Sequence, residues 1–191
     1  YRRYQPEDIW AFRPVQKPTI PESYQGNPID YFVFEKTRAA GYEPAPRADP
    51  RTLVRRANLS LVGYLPTPAE AAAFAAADPV TAMSDLVDDL LATPHYGERW
   101  AQHWLDVARY ADTAGMSNDY ERSNMWRYRD YVIRSLNTDK PYDQFIVEQI
   151  AGDEIWSSQP EAERDPELLI ATSFLRMGSW DPAMVLVPEA R

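Results

Sequence analysis

Residues that commonly cap helices stand directly before prolines at several points along this 191-residue chain. These pairs include Asn27–Pro28, Asp49–Pro50, Thr67–Pro68 and Thr93–Pro94. A cap side chain accepts hydrogen bonds from the free N–H groups of the first helical turn. Proline suits the first helical position because an N–H there has no partner within the helix, whereas further along it breaks the helix. Each pair therefore predicts the start of a helix.

Apolar residues at helical spacing extend these starts into helices. In the second half of the chain we expect helices over 94–111, 121–136, 142–151 and 166–177. The prediction is an all-α fold, an irregular multi-helix domain of about seven helices over residues 28–178. Prolines among aromatic residues make residues 1–27 an extended arm, which packs either on a partner or on the core of this domain. Residues 179–191 form a truncated tail or linker.

The charge and composition of the chain limit its partners. Its 29 acidic and 20 basic residues give a net charge of −9, which disfavours binding to nucleic acid phosphates. No apolar run approaches the roughly 20 residues of a membrane-spanning helix, so we expect no membrane span. Without cysteine, the chain attaches no heme c covalently and holds no iron–sulfur cluster. Because it starts without Met, we expect a mature product or a fragment.

The segment 93–113 contains both histidines and two of the six tryptophans. On a helix, Trp100, His103 and Val107 share one face, and Trp104 extends the buried stripe beside them, so we expect His103 to point toward packed aromatic side chains. His103 is a candidate heme or metal ligand, with Asp106 placed to orient its ring. The alternative is a histidine at the edge of the core that bonds to a neighbouring side chain.

Charged side chains flank the same segment and allow several interpretations. Six of these side chains either form ion pairs between helices or bind an anion such as a heme propionate. They are Arg99, Asp106, Arg109, Arg127, Arg129 and Asp130. Asp112, Asp119 and Glu121, around the Gly115 loop, are candidate calcium ligands, although their spacing matches no calcium loop and solvated carboxylates are the alternative. A hydrolase that uses Asp106 and Asp112 stays open, without a nucleophile or a metal triad to favour it.

Six motifs follow one another in the order seen in a single family. The longest is Pro94-His-Tyr-Gly-Glu-Arg-Trp-Ala-Gln-His-Trp-Leu-Asp-Val-Ala-Arg-Tyr-Ala-Asp-Thr113, and the others include Asn27-Pro-Ile-Asp-Tyr-Phe32, Leu65-Pro-Thr-Pro-Ala-Glu70 and Trp126-Arg-Tyr-Arg-Asp130. Through them the chain resembles the planctomycete-type cytochrome c associated domain of unknown function, over nearly all of its length from Ile9 to Met177. One departure is that no Cys-x-x-Cys-His segment follows the region around Glu189.

The resemblance implies an exported protein, periplasmic or extracellular, with a link to electron transfer. It implies a helical scaffold beside a heme c that a missing segment or a partner chain supplies, with a cytochrome c domain or redox protein as partner. On this interpretation His103 is a ligand or neighbour of the heme, Arg99, Arg109 or Arg127 pairs with propionates, and Trp100, Trp104 and Trp126 shield the cofactor. The alternative is a binding or assembly module for a partner protein or a glycan, without redox chemistry.

Overall fold

The computed structural model describes residues 9, 11, 13–115 and 119–179. Within these ranges the chain forms eight α-helices and no strand, which confirms the all-α prediction. The arm residues Trp10 and Phe12 and the tail from 180 onward lie outside the described residues. The helices are α1 (Pro28–Ala39), α2 (Pro50–Leu61), α3 (Pro68–Ala76), α4 (Ala82–Leu91), α5 (Pro94–Ala108), α6 (Trp126–Asn137), α7 (Tyr142–Ser158) and α8 (Pro166–Ala171).

The chain divides into two compact units between Arg47 and Ala48. The first unit holds α1, whose start follows the cap-and-proline pattern, since the Asn27 side chain accepts a hydrogen bond of 2.8 Å from the N–H of Ile29. In the same unit, Tyr24 packs edge-on against Tyr31 with ring centroids 5.3 Å apart. This first helix therefore carries its own small aromatic cluster.

The second unit begins with helices whose caps are also formed as the sequence predicts. The Asp49 side chain accepts a hydrogen bond from the N–H of Thr52 at the start of α2. At α3, Thr67 and Glu70 form a reciprocal capping box, in which each side chain accepts a hydrogen bond from the backbone N–H of the other. Helix α2 packs against α3 and α4 and contributes the buried Val54.

The largest core of the second unit lies among α5, α6, α7 and α8. Tyr128, Tyr131 and Val132 of α6 are fully buried, and they meet Ala101 of α5 and Phe145 of α7. A short 3-10 helix, Thr172–Arg176, continues α8 and also packs on α7. In the described part of the chain no helix is both long and apolar enough to cross a bilayer.

Two glycines allow these helices to approach closely. Gly97 of α5 donates its N–H to the side chain of Asn137, at the end of α6, over 2.8 Å, and a Cβ at Gly97 would overlap that side chain. The Asn137 amide in turn donates to the carbonyl of Pro94, which joins the start of α5 to the end of α6. Gly152 of α7 lies against the backbone of Leu168 in α8, where a Cβ would overlap the carbonyl.

Four predicted helix boundaries are wrong. Helix α8 ends at Ala171 instead of 177, because the chain continues there as the 3-10 helix Thr172–Arg176. Helix α5 ends at Ala108 instead of 111, because Arg109 adopts the left-handed conformation with φ 58°. Helix α6 starts at Trp126 instead of 121, because an isolated bridge between Thr113 and Glu121 holds the preceding loop extended. Helix α7 bends at Ala151, with φ −132° and ψ 23°, and then continues to Ser158, where the sequence suggests a stop at 151.

Candidate binding groove

One face of α5 forms the wall of an open groove. Its lining residues Trp100, His103, Trp104 and Val107 recur at spacings of three and four, so they stand on one side of the helix. The facing wall comes from the end of α6, the turn after it and the start of α7, and it consists of Ser135, Leu136, Lys140, Tyr142 and Phe145. The groove encloses about 410 Å³, a volume in the usual range of ligand sites.

Several apolar and aromatic side chains of the groove are exposed to solvent. Trp100 is 40% exposed, Tyr142 70% and Val107 74%. Trp104 at the base is partly buried, and its ring meets the edge of Phe145 with centroids 4.9 Å apart. The base of the groove is therefore packed, whereas its rim presents aromatic and aliphatic side chains to solvent.

A buried hydrogen-bond network fixes the base of the groove. The indole N–H of Trp104 donates to the Tyr128 hydroxyl at 2.9 Å and to Gln149 Oε1 at 3.1 Å, and the Tyr128 hydroxyl donates to the same oxygen at 2.6 Å. Burial raises the pKa of the Tyr128 phenol to about 12, against the opposing effect of the Trp104 hydrogen bond. Tyr128 thus stays protonated at neutral pH and orients the Trp104 ring.

A second network connects the facing wall to a buried carboxylate. Glu148 accepts hydrogen bonds from the Tyr131 hydroxyl at 2.8 Å and from the Gln144 amide at 2.8 Å, and it forms an ion pair with Lys140. Burial acts to raise the pKa of Glu148, but the hydrogen bonds from Lys140, Tyr131 and Gln144 outweigh it and hold that pKa below its ordinary value. The Lys140 ammonium also lies 4.7 Å from the centre of the Tyr131 ring.

His103 lies at the exposed rim of the groove and not among packed side chains in the core. The buried positions of α5 are Gly97, Ala101 and Ala108, so the face that carries His103 turns toward solvent. Its ring meets the edge of Trp100 with centroids 5.5 Å apart. Asp106 and His103 are both described and share no hydrogen bond, so Asp106 does not orient this ring.

The structure places the other heme candidates away from the groove. Arg99 donates to Gln102 at 3.0 Å on its own helix, and Arg109 caps the end of α5. Trp126 is exposed, with the Arg127 guanidinium 5.2 Å from its ring. None of these four residues lines the groove. Of the charges expected to pair between helices, Arg129 pairs instead with its neighbour Asp130, at 2.8 Å.

The three calcium candidates do not converge. Asp112 accepts a hydrogen bond of 2.6 Å from the Tyr110 hydroxyl. Asp119 accepts hydrogen bonds from the Thr113 side chain and, at 2.8 Å, from the N–H of Gly115, and these two bonds lower the pKa of Asp119. Glu121 lies in the isolated bridge. Over residues 9, 11, 13–115 and 119–179, no three His, Cys, Asp or Glu side chains are arranged to hold a metal ion.

Sequence reasoning missed the facing wall and the carboxylate behind it. Lys140 and Tyr142 flank a proline in what the sequence presents as a simple break between helices. The adjacent polar residues Glu148 and Gln149 were the available signal, since the first lies three residues and the second four residues after Phe145, on the apolar face of α7. Polar side chains on such a face are hydrogen-bonded when buried.

The fold and the groove define a class of protein: an all-α domain with an open groove lined by aromatic side chains. A family model, PSCyt2, described as a protein of unknown function (DUF1549), matches residues 28–190. The chain therefore belongs to this family, a planctomycete cytochrome c associated domain of unknown function. No curated protein and no solved structure matches the chain.

Proposed function

We propose that this domain is a helical scaffold in an exported c-type cytochrome or electron-transfer assembly, and that its groove packs beside a heme carried by a cytochrome c domain. The observation that supports the proposal is the exposed rim of the groove, where the His103 imidazole lies with Trp100, Val107 and Tyr142. Contiguous exposed apolar side chains of this kind mark surfaces that a partner covers. Membership in a cytochrome c associated family supports the same partner class.

The residues of the groove fit the edge of a heme rather than a whole one. Among the described lining residues, His103 is the only imidazole and no methionine is present, so His103 is the residue of the groove that would ligate a heme iron, and the partner would supply the covalent attachment. The rings of Trp100 and Trp104 would exclude water, which lowers the local dielectric and shifts the potential of a heme. Bound there, the heme supplies one-electron transfer. Arg99, Arg109 and Arg127 contact no propionate in this proposal.

The charge of the domain favours a basic partner. With a net charge of −9, the chain attracts a positively charged protein face at low ionic strength. Asp106 and Asp143 are exposed and adjoin the lining residues Val107 and Tyr142, which places acidic groups beside the apolar rim. An extracytoplasmic location, which the family resemblance implies, is part of this proposal.

The test is isothermal titration with a soluble, basic monoheme c-type cytochrome, combined with its Soret absorption spectrum. We expect binding that weakens at least fivefold in Trp100→Ala and a Soret change that His103→Ala reduces. Trp126→Ala is the matched control, because Trp126 is 48% exposed but lies outside the groove. Equal weakening by the two tryptophan variants, or binding without any Soret change, would remove the heme from this groove.

A second candidate function uses the same groove without redox chemistry. The exposed rings of Trp100 and Tyr142 also suit the stacking of sugar rings or the capture of a partner protein's apolar side chain. Titration with neutral oligosaccharides separates the two functions. The binding module is favoured if a saccharide binds saturably, Trp100→Ala abolishes that binding, and the cytochrome shows no binding.

A further inference from the structure

A second cavity lies on another part of the α5–α8 core, and its lining combines cationic and polar side chains with apolar ones. It encloses about 430 Å³ between the loop before α6, the first turn of α6, and α8 with its 3-10 extension. Its polar lining residues include Arg122, Arg127, Arg176, Ser123, Asn124 and Ser173. None of these residues lines the aromatic groove, so this cavity is independent of the function proposed above.

The charge of this cavity is opposite to that of the chain. Three guanidinium groups and one carboxylate, that of Glu121, line it, which leaves two net positive charges (3 − 1 = 2) in a chain of net charge −9. Among the described residues, neither Arg127 nor Arg176 forms an ion pair. Clustered arginines repel one another, so an arrangement without carboxylate partners favours an anion between them.

Backbone carbonyls fix the Arg122 side chain in the wall of this cavity. Its two terminal nitrogens donate to the backbone carbonyls of Ala114, Arg176, Met177 and Gly178, at distances between 2.7 and 3.3 Å. These neutral acceptors hold the guanidinium in place without neutralising its charge. Its Nε is buried and finds no hydrogen-bond partner in the described ranges. Because solvent does not reach this Nε, a ligand in the cavity does not reach it either, so Arg122 holds the wall of the cavity rather than binding the anion.

The remaining walls indicate what is attached to the anionic group. Met125, Leu169 and Ile170 add apolar surface beside the arginines. A bare inorganic ion leaves such walls in contact with water, whereas an organic acid covers them. The planar fork of arginine matches a carboxylate through two parallel N–H···O bonds.

We propose that this cavity is a binding site for a small organic carboxylate, in which Arg127 and Arg176 bind the carboxylate and Met125, Leu169 and Ile170 pack against its apolar body. Arg122 holds the wall of the site in position. Ser123, Asn124 and Ser173 supply further hydrogen-bond donors for polar groups of the ligand.

The test titrates the protein with benzoate at low ionic strength, with neutral benzamide as the isosteric control and inorganic phosphate as the anion control. We expect saturable benzoate binding, no benzamide binding, and at least a tenfold loss of benzoate affinity in the double variant Arg127→Gln/Arg176→Gln. Arg55→Gln/Arg56→Gln is the matched control, because these two exposed arginines of α2 lie outside the cavity and their replacement removes the same two charges. Circular dichroism establishes that each variant is folded.

The comparison of ligands needs no variant, so the proposal stays testable if a variant fails to fold. Equal binding of benzoate and benzamide would overturn it, as would a loss of affinity in Arg55→Gln/Arg56→Gln as large as in Arg127→Gln/Arg176→Gln. Binding of phosphate without benzoate would overturn the carboxylate assignment. None of these results depends on cytochrome binding, so the two proposals fail separately.

Discussion

The ion pair between Lys140 and Glu148 gives the sharpest stability prediction. Lys140→Met removes the cation and leaves the carboxylate, 7% exposed, with only Tyr131 and Gln144 as donors. Breaking a buried pair from one side costs about 3–5 kcal/mol, because the remaining charge is desolvated without compensation. Because the Lys140 side chain is 19% exposed, water reaches the Glu148 carboxylate in the variant and compensates part of the lost pairing. We therefore expect the free energy of unfolding to fall by about 3 kcal/mol.

The assay is urea unfolding at pH 7 followed by far-UV circular dichroism, with two companion variants. Arg134→Met breaks the more exposed pair with Glu167, whose side chains are 52% and 34% exposed, and should cost about 1 kcal/mol or less. The double variant Lys140→Met/Glu148→Gln removes both charges and should recover most of the loss. A cost for Lys140→Met no larger than that for Arg134→Met would refute the argument that burial makes this pair strong.

Three further predictions use the same unfolding assay. Gly152→Ala should cost about 1–3 kcal/mol, because its Cβ would overlap the Leu168 carbonyl, whereas Gly178→Ala, with open space around it, should be near neutral. Thr67→Ala should cost about 1 kcal/mol by removing the capping box of α3, and an unchanged midpoint would contradict that role. Because the folded pKa of Glu148 is lowered, its contribution is present above the ordinary value of 4.5 and is lost as pH falls through the folded pKa. Stability measured from pH 6 down to pH 3 should therefore fall less steeply in Glu148→Gln.

Helix starts could be predicted from the sequence because the signal is local. Asn27, Asp49 and Thr67 each precede a proline and accept a hydrogen bond from the first turn that follows, as the residue types require. Helix ends carried weaker signals. Arg109 ends α5 in a left-handed conformation that usually belongs to glycine or asparagine, so its side chain gives no warning. The bend at Ala151 arises beside the close contact of Gly152 with α8, which only the tertiary structure contains.

The sequence predicts only one wall of the groove, the face of α5. Trp100, His103 and Val107 share a face through helical periodicity alone, and the sequence places them together. The facing side chains Tyr142 and Phe145 lie some forty residues further along the chain, and no periodic pattern relates two helices that the packing of α6 brings together. Periodicity within one helix also does not show which cavity a side chain lines. The sequence therefore suggests Arg127 as a propionate partner beside α5, whereas it lines the other cavity with Arg176.

The side chain of Asn137 fixes the position of α5 relative to α6, and with it the geometry of the groove. Its amide accepts from Gly97 and donates to Pro94, so sliding α5 along α6 by one helical turn, about 5.4 Å, breaks both bonds at once. The α5 wall of the groove is therefore held in register with the end of α6 before any partner arrives. A preorganised surface loses little conformational entropy on association, so affinity there depends on the contacts themselves and on the rate of encounter, rather than on an ordering step.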